Sequence, residues 1–238
     1  MPNGLHAASS GVIAQQLKMD AIANDIANVN TTGYKRTRVT FQEVVSGVGG
    51  DGTGSGVRIG QAQHVFDQGL LFANSNPIAV GLDGPGFIQV KRGDGTLALT
   101  RDGDLRVDSK GALTLAGGER LEPAITLPTG YDLADVKISE DGTVTLAGKK
   151  LGQLTVVAVT APDGLLHVGD NLFQLTAASG PAAPAKDAVV HQGFIEGSNV
   201  DLATAMVDLI ETQRGFDLTS RSLRTHDQLL EIANAIRR

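Results

Sequence analysis

The chain has 238 residues, enough for a sizeable core, and is 41% hydrophobic but only 4% aromatic, so that core must be aliphatic. Its formal net charge of −6 excludes a basic stripe able to neutralise nucleic-acid phosphates. No stretch approaches the ~18 apolar residues a membrane span needs, and the absence of cysteine excludes disulfides and thiolate chemistry.

At the amino terminus, Leu5, Val12, Met19 and Ile26 recur every seven residues, with Ala8, Ile22 and Val29 on a neighbouring stripe and Gln15 as a polar break. This spacing predicts a helix over residues 1–32 whose apolar seam seeks a partner helix. Asn28, Asn30 and Gly33 supply the residue types that end a helix in left-handed backbone. The first residues, MPNGLHAASS, lack the basic and apolar regions of a secretory leader, so no cleaved signal is expected.

Residues 33–74 read as an extended, glycine-rich connecting segment, with six glycines between Gly47 and Gly56. From about 75 to 192 the pattern is that of an all-β domain of short strands. Asp94-Gly95, Asp102-Gly103, Lys110-Gly111 and Asp141-Gly142 each precede a short alternating run, the signature of a hairpin turn that requires positive φ. Gly152 to Thr160 reads as one buried strand, and the Ala/Pro-rich stretch Ala177 to Ala185 as a flexible connection. The last segment, 193–238, carries Leu202, Leu209, Phe216, Leu223 and Leu230 at seven-residue spacing, with Met206 at a companion position. Ser198 to Asp201 offer a cap, so a second long helix is expected from about Asn199 to Ile236. The fold class is therefore α+β: long N- and C-terminal helices forming a coiled-coil inner domain, with a central all-β domain of short strands and hairpins.

Signals for chemistry are weak. The five histidines show no metal-ligand spacing, and the glycine-rich stretch lacks the lysine and following helix of a phosphate loop. Asp102, Asp104 and Asp108 fall short of a calcium loop and read as turn aspartates. Glu122, Glu140 and Glu196 could pair as hydrolytic carboxylates, but nothing in the sequence brings them together. No catalytic, cofactor-binding or metal residue is expected, and no cofactor.

Two stretches carry a family resemblance. Residues 11–36, GVIAQQLKMDAIANDIANVNTTGYKR, contain a core from Ala23 to Lys35 that closely resembles the amino-terminal signature of the flagellar basal-body rod and hook axial family. At the other end, QGFIEGSNVDLATAMVDLIETQRGF resembles that family's carboxy-terminal motif, and GPGFIQV, LTRDGDLRVDSKGAL, ISEDGTVT and LGQLTVVAV follow its central β domain in order. The stretch GSGVRIGQAQHVFDQGLLFANSNPIAVGLDGPGFIQV is most similar to the distal-rod branch, with proximal-rod and hook-like branches as alternatives. Ile88 and Phe216 depart from the residues usual at those positions.

The resemblance implies a structural, self-assembling subunit rather than an enzyme. It implies a homo-oligomeric helical tube that transmits torque, with other rod proteins, the hook protein, surrounding ring proteins and the export apparatus as partners. Its implied place is the rod of the basal body, in the cell envelope, after type III export. Assembly would rest on Leu5, Val12, Met19, Ile22, Ile26, Leu202, Met206, Leu209, Phe216, Leu223 and Leu230 as seam residues. Asn24, Asn28, Asn30, Gly33 and Tyr34 would shape the signature, with Asn24 either bonding a neighbouring subunit or serving its own helix. Two readings outside the family stay open at this point, a secreted β-domain glycan hydrolase and an adhesin on a coiled-coil stalk.

Overall fold

A computed structural model describes residues 2–46, 53–128, 130–185 and 187–236. The architecture is α+β, with one long helix near each end of the chain and β structure between them. The chain divides into two compact units, each discontinuous in sequence. Unit 1 is Met1–Ala27, Thr37–Val65 and Val200–Arg238; unit 2 is Asn28–Arg36 and Phe66–Asn199.

Unit 1 contains helix α1 (Pro2–Ala27), strands β1 (Thr37–Ser46) and β2 (Thr53–His64), and helix α2 (Leu202–Ile236). A side-chain carbon added at Gly11 would lie 3.6 Å from Thr219, and one at Gly215 would lie 3.2 Å from Gln15. As one residue number rises the other falls, so α1 and α2 pack antiparallel. The helix α2 begins at Leu202 rather than Asn199 because Asp201 is its cap. Its carboxylate accepts from Ala203 N (3.2 Å) and from Thr204 Oγ1 (2.6 Å).

Strands β1 and β2 pair antiparallel from Thr37↔His64 to Ser46↔Thr53, with two register shifts. Most of the stretch expected to be an extended connection is thus a hairpin, and α1 holds it at two places. Thr37 N donates to the buried Asp25 carboxylate at 3.0 and 3.2 Å, and Val57 N donates to Ser10 Oγ at 3.0 Å. Gly56 is required there: its φ is +115°, and a Cβ would meet Ser10 Oγ at 2.3 Å. Of the Gly47–Gly56 stretch, 53–56 belong to β2 and 47–52 lie outside the described residues.

Unit 2 is built on an antiparallel sheet whose centre is Phe87–Lys91 between Leu97–Thr100 and Arg120–Leu121. A three-stranded meander (Val136–Ile138, Thr143–Leu146, Lys149–Gln153) stands beside it. Two short pairs complete the unit: Val189–Gln192 with Val80–Asp83, and Phe194–Glu196 with Leu71–Ala73. As the composition demands, the main core is aliphatic, with Ile88, Val90, Leu105, Leu113, Leu121 and Val144 almost fully buried. Three phenylalanines form a second cluster, where Phe66 meets Phe87 and Phe173 edge-on at 5.3 and 5.0 Å.

Three of the four expected hairpin turns form, with Gly95, Gly111 and Gly142 at φ near +80°. Asp94, Asp108 and Asp141 each accept a hydrogen bond from the backbone N–H two residues on, at Thr96, Lys110 and Thr143. The Thr96 hydroxyl and then its N–H hold Asp94 below the usual carboxylate range, and the backbone bonds come first in doing so at Asp108 and Asp141. Asp102-Gly103 is not a hairpin turn. Gly103 does not have positive φ; it is needed because a Cβ would lie 1.7 Å from the Val80 carbonyl oxygen. The expected single strand over Gly152 to Thr160 is two strands, Lys149–Gln153 and Val156–Val159, which join different sheets. Ala182–Pro184, within the stretch expected to be flexible, is an edge strand paired with Val156–Val159. Proline is tolerated at such an edge.

Candidate functional site

Along α2 the sheltered side runs Ala205, Leu209, Thr212, Phe216, Thr219, Leu223 and His226, at alternating spacings of four and three. Thr219 and Gly215 place this side against α1. Leu209, Phe216 and Leu223 are half-buried on it, as are Val12, Met19, Ile22 and Ile26 on α1. Thr212 is buried and turns its hydroxyl back to Asp208 O at 2.6 Å, which lets a polar residue occupy the sheltered side. The side chains of Leu5 and Leu230 lie outside the described set.

Leu202 and Met206 are instead exposed, at 39% and 49%, and share that exposure with Val207 and Ile210. On α1, Ile13 and Leu17 are exposed as well. A two-helix pair therefore carries large apolar side chains beyond those that pack its own contact. Asn24 and Asn30 are exposed, whereas Asn28 is half-buried and accepts from Thr31 Oγ1 at 3.1 Å.

The signature residues that follow α1 lie in unit 2 and make its most buried polar cluster. Gly33 has φ +66°, and a Cβ there would strike Asp102 N at 2.5 Å and the Arg101 carbonyl at 2.7 and 2.9 Å. Tyr34 is buried, and its carbonyl accepts from Asn199 N at 3.4 Å. Lys35, wholly buried, donates to Glu196 Oε1 at 2.6 Å and to the Asp67 carbonyl at 2.7 Å. The other oxygen of Glu196 receives Arg101 Nη1 at 3.0 Å. Glu196 Oε1 also accepts from Gly69 N at 2.8 Å. Arg101 continues to the Gly84 carbonyl at 2.9 Å, and its guanidinium lies 5.4 Å from the centre of the Phe87 ring.

Two cations share one carboxylate here. Burial pushes the Lys35 amine below its ordinary value, Glu196 opposes that shift, and Arg101 adds to it. Beside the cluster, burial raises the Asp102 carboxyl, partly offset by hydrogen bonds from Asp104 N and Thr32 Oγ1.

Of these residues, the sequence marks Gly33 and Tyr34 as assembly residues, Lys35 only as the end of the signature core, Asn199 only as part of a helix cap and Glu196 only as a candidate hydrolytic carboxylate within the second motif, and it gives no sign of Arg101. The available signal was a lysine closing one motif and a glutamate opening the other. Sequence separation of 161 residues between them hid the pairing. Among the described residues no group of three or more His, Asp or Glu is placed to hold a metal ion.

Comparison with known proteins bears on both ends and the middle of the chain. Residues 5–35 match the family model described as flagella basal body rod protein, residues 81–146 match the flagellar hook protein FlgE/F/G D1 domain, and residues 191–236 match the flagellar basal body rod FlgEFG protein C-terminal. The flagellar basal-body rod protein FlgG of Borreliella burgdorferi is 34% identical, with all of both chains covered. FlgG of Agrobacterium fabrum is 34% identical over 95% of this chain and 96% of its own. FlgG of Bacillus subtilis is 32% identical over 97% of each.

Proposed function

The chain belongs to the flagellar basal-body rod protein family, in its FlgG or distal-rod branch, and is a structural subunit of the rod; from that premise we propose that α1 and α2 of successive copies pack as a coiled-coil layer lining a helical tube. The tube is the drive shaft that carries torque to the hook, and the β-rich unit forms its outer layer. The function is structural, with no reaction assigned to it.

One observation carries this reading: large apolar side chains (Ile13, Leu17, Met206, Val207 and Ile210) remain in view on helices that already pack against each other. Ile13 and Leu17 on one helix, and Met206 and Ile210 on the other, stand four residues apart on one face, and exposed apolar groups of this kind mark an interface. At ~25 cal/mol per Å² removed from water, its repetition at every subunit contact offsets the entropy lost on association. Other rod proteins and the hook protein continue the tube, ring proteins surround it, and the export apparatus delivers the chain through the envelope.

The absence of cysteine makes the test clean. A chain with Ile13→Cys and Ile210→Cys, treated with a bismaleimide in purified basal bodies, is expected to give a ladder of cross-linked multimers. Monomer alone in intact rods would reject the helix-lined tube.

A further inference from the structure

The chain passes between its two units four times, at 27/28, 36/37, 65/66 and 199/200. Three of these exits converge within unit 2 on a single polar cluster. Arg36 N donates to Asn199 Oδ1 at 2.7 Å, and Asn199 Nδ2 donates to the Asp67 carbonyl at 3.0 Å. Lys35 reaches that same carbonyl and the Glu196 carboxylate. Gly33 N donates to the Glu196 carbonyl at 2.8 Å. The fourth exit opens the segment 28–36, which Thr32 fastens to Asp102 (2.9 Å) and Asn171 (2.9 Å). Arg101 roots the assembly in the β core through Glu196 and the Gly84 carbonyl. Besides these bonds, Phe66 packs against Phe87 and Phe173, Gln68 bonds the Leu82 carbonyl and Gly84 N, and the segments after 65 and before 200 meet each other in one short pair, Leu71–Ala73 with Phe194–Glu196.

We infer that Lys35, Glu196, Arg101 and Asn199 form a mechanical clasp, which bundles the chain exits of unit 2 so that strain arriving along the chain is borne by the unit as a whole. Without it, load on one exit would meet the contacts of Phe66 and Gln68 and the short Leu71–Ala73 pair one after another. The members suit the task. Buried charge-assisted bonds are short and strong, and opening any one of them leaves a partner charge buried and unpaired.

The clasp has a kinetic consequence that a merely stabilising cluster lacks. When load enters at an exit, the clasp is already broken in the transition state, so weakening it speeds unfolding by its full energetic loss. When load enters elsewhere, the clasp is still intact in the transition state, and the same weakening cancels from the rate.

The experiment uses the full chain in single-molecule pulling, with cysteine handles in two geometries. The first pair is Asp67→Cys and Lys110→Cys, which loads an exit. The Asp67 side chain is 76% exposed, with a 4.0 Å surface ion pair to Arg36 and a minor electrostatic effect on Lys35, and its backbone carbonyl makes the bonds to the clasp, so each variant is compared with the parent carrying the same handles. The second pair, Lys110→Cys and Asp163→Cys, loads the unit between two exposed positions away from the exits. Lys35→Met and the gentler Asn199→Ala are introduced into each. The expected result is an unfolding rate at fixed force raised about tenfold or more by Lys35→Met in the first geometry, with a change of less than about twofold in the second. Asn199→Ala, which removes only the amide bridges and leaves the ion pairs, is expected to show the same asymmetry at smaller size. Equal acceleration in both geometries, or none in either, would overturn the clasp.

Discussion

Asp102 shows how a single side chain can serve the fold at a cost. Its Oδ1 accepts from Thr32 Oγ1 and Asp104 N, yet burial holds its carboxyl above the usual 3.8. A folded-state pKa raised above the unfolded one means the native state binds that proton more tightly. The stabilisation is then complete below the ordinary carboxylate range and is lost as pH rises through the folded value. At neutral pH the charge is a net liability. Asp102→Asn keeps an oxygen for both hydrogen bonds and removes the charge, so it is expected to raise the urea midpoint at pH 7 and to change it little in acid, where the carboxyl it replaces is already protonated. A lower midpoint at pH 7 would mean that the charge itself is needed. Little of this was legible beforehand. The sequence suggests turn aspartates at 102, 104 and 108, and Asp102 and Asp108 each accept from the N–H two residues on, but Asp102 is also engaged by a threonine 70 residues away. Lys35, Arg101 and Glu196 were hidden for the same reason, since pairing across long separations leaves no local pattern.

Elements with a strong local period were the most legible. Both long helices follow from seven-residue seams, and three hairpins follow from Asp-Gly or Lys-Gly turns. Where expectation and fold part, a non-local contact decides. Thr37–His64 carries too many glycines to read as a hairpin, but α1 supplies Asp25 and Ser10 to hold its backbone. Likewise Ala182–Pro184 becomes a strand only because Val156–Val159 offers it an edge. On α2, the sheltered line includes Thr212, Thr219 and His226, polar residues that mask the seam in a hydropathy reading. Leu209 lies on that line, half-buried. Leu209→Asp puts a carboxylate against α1 and is expected to destabilise unit 1 by ~2–4 kcal/mol. Residue-resolved hydrogen exchange should then show lost protection in α1 and α2, with Phe87–Lys91 and Leu97–Thr100 unchanged. Equal loss in those strands would show that the helices hold up the β core.

At the scale of the whole molecule, the subunit combines a clasped β-rich unit with a helical unit that leaves apolar surface in view. The first needs nothing further to bury its aliphatic core. The second gains only from neighbours, which is the property of a part that assembles. Ile210, 51% exposed on α2, separates the two demands, because it contributes little to the fold of a single chain. The most direct measurement is therefore electron microscopy of basal bodies from cells whose only copy carries Ile210→Asp, paired with urea unfolding of the purified variant. Rod assembly through the helices requires an unchanged unfolding midpoint together with rods that are absent or cut short. Rods of normal length and number would contradict it.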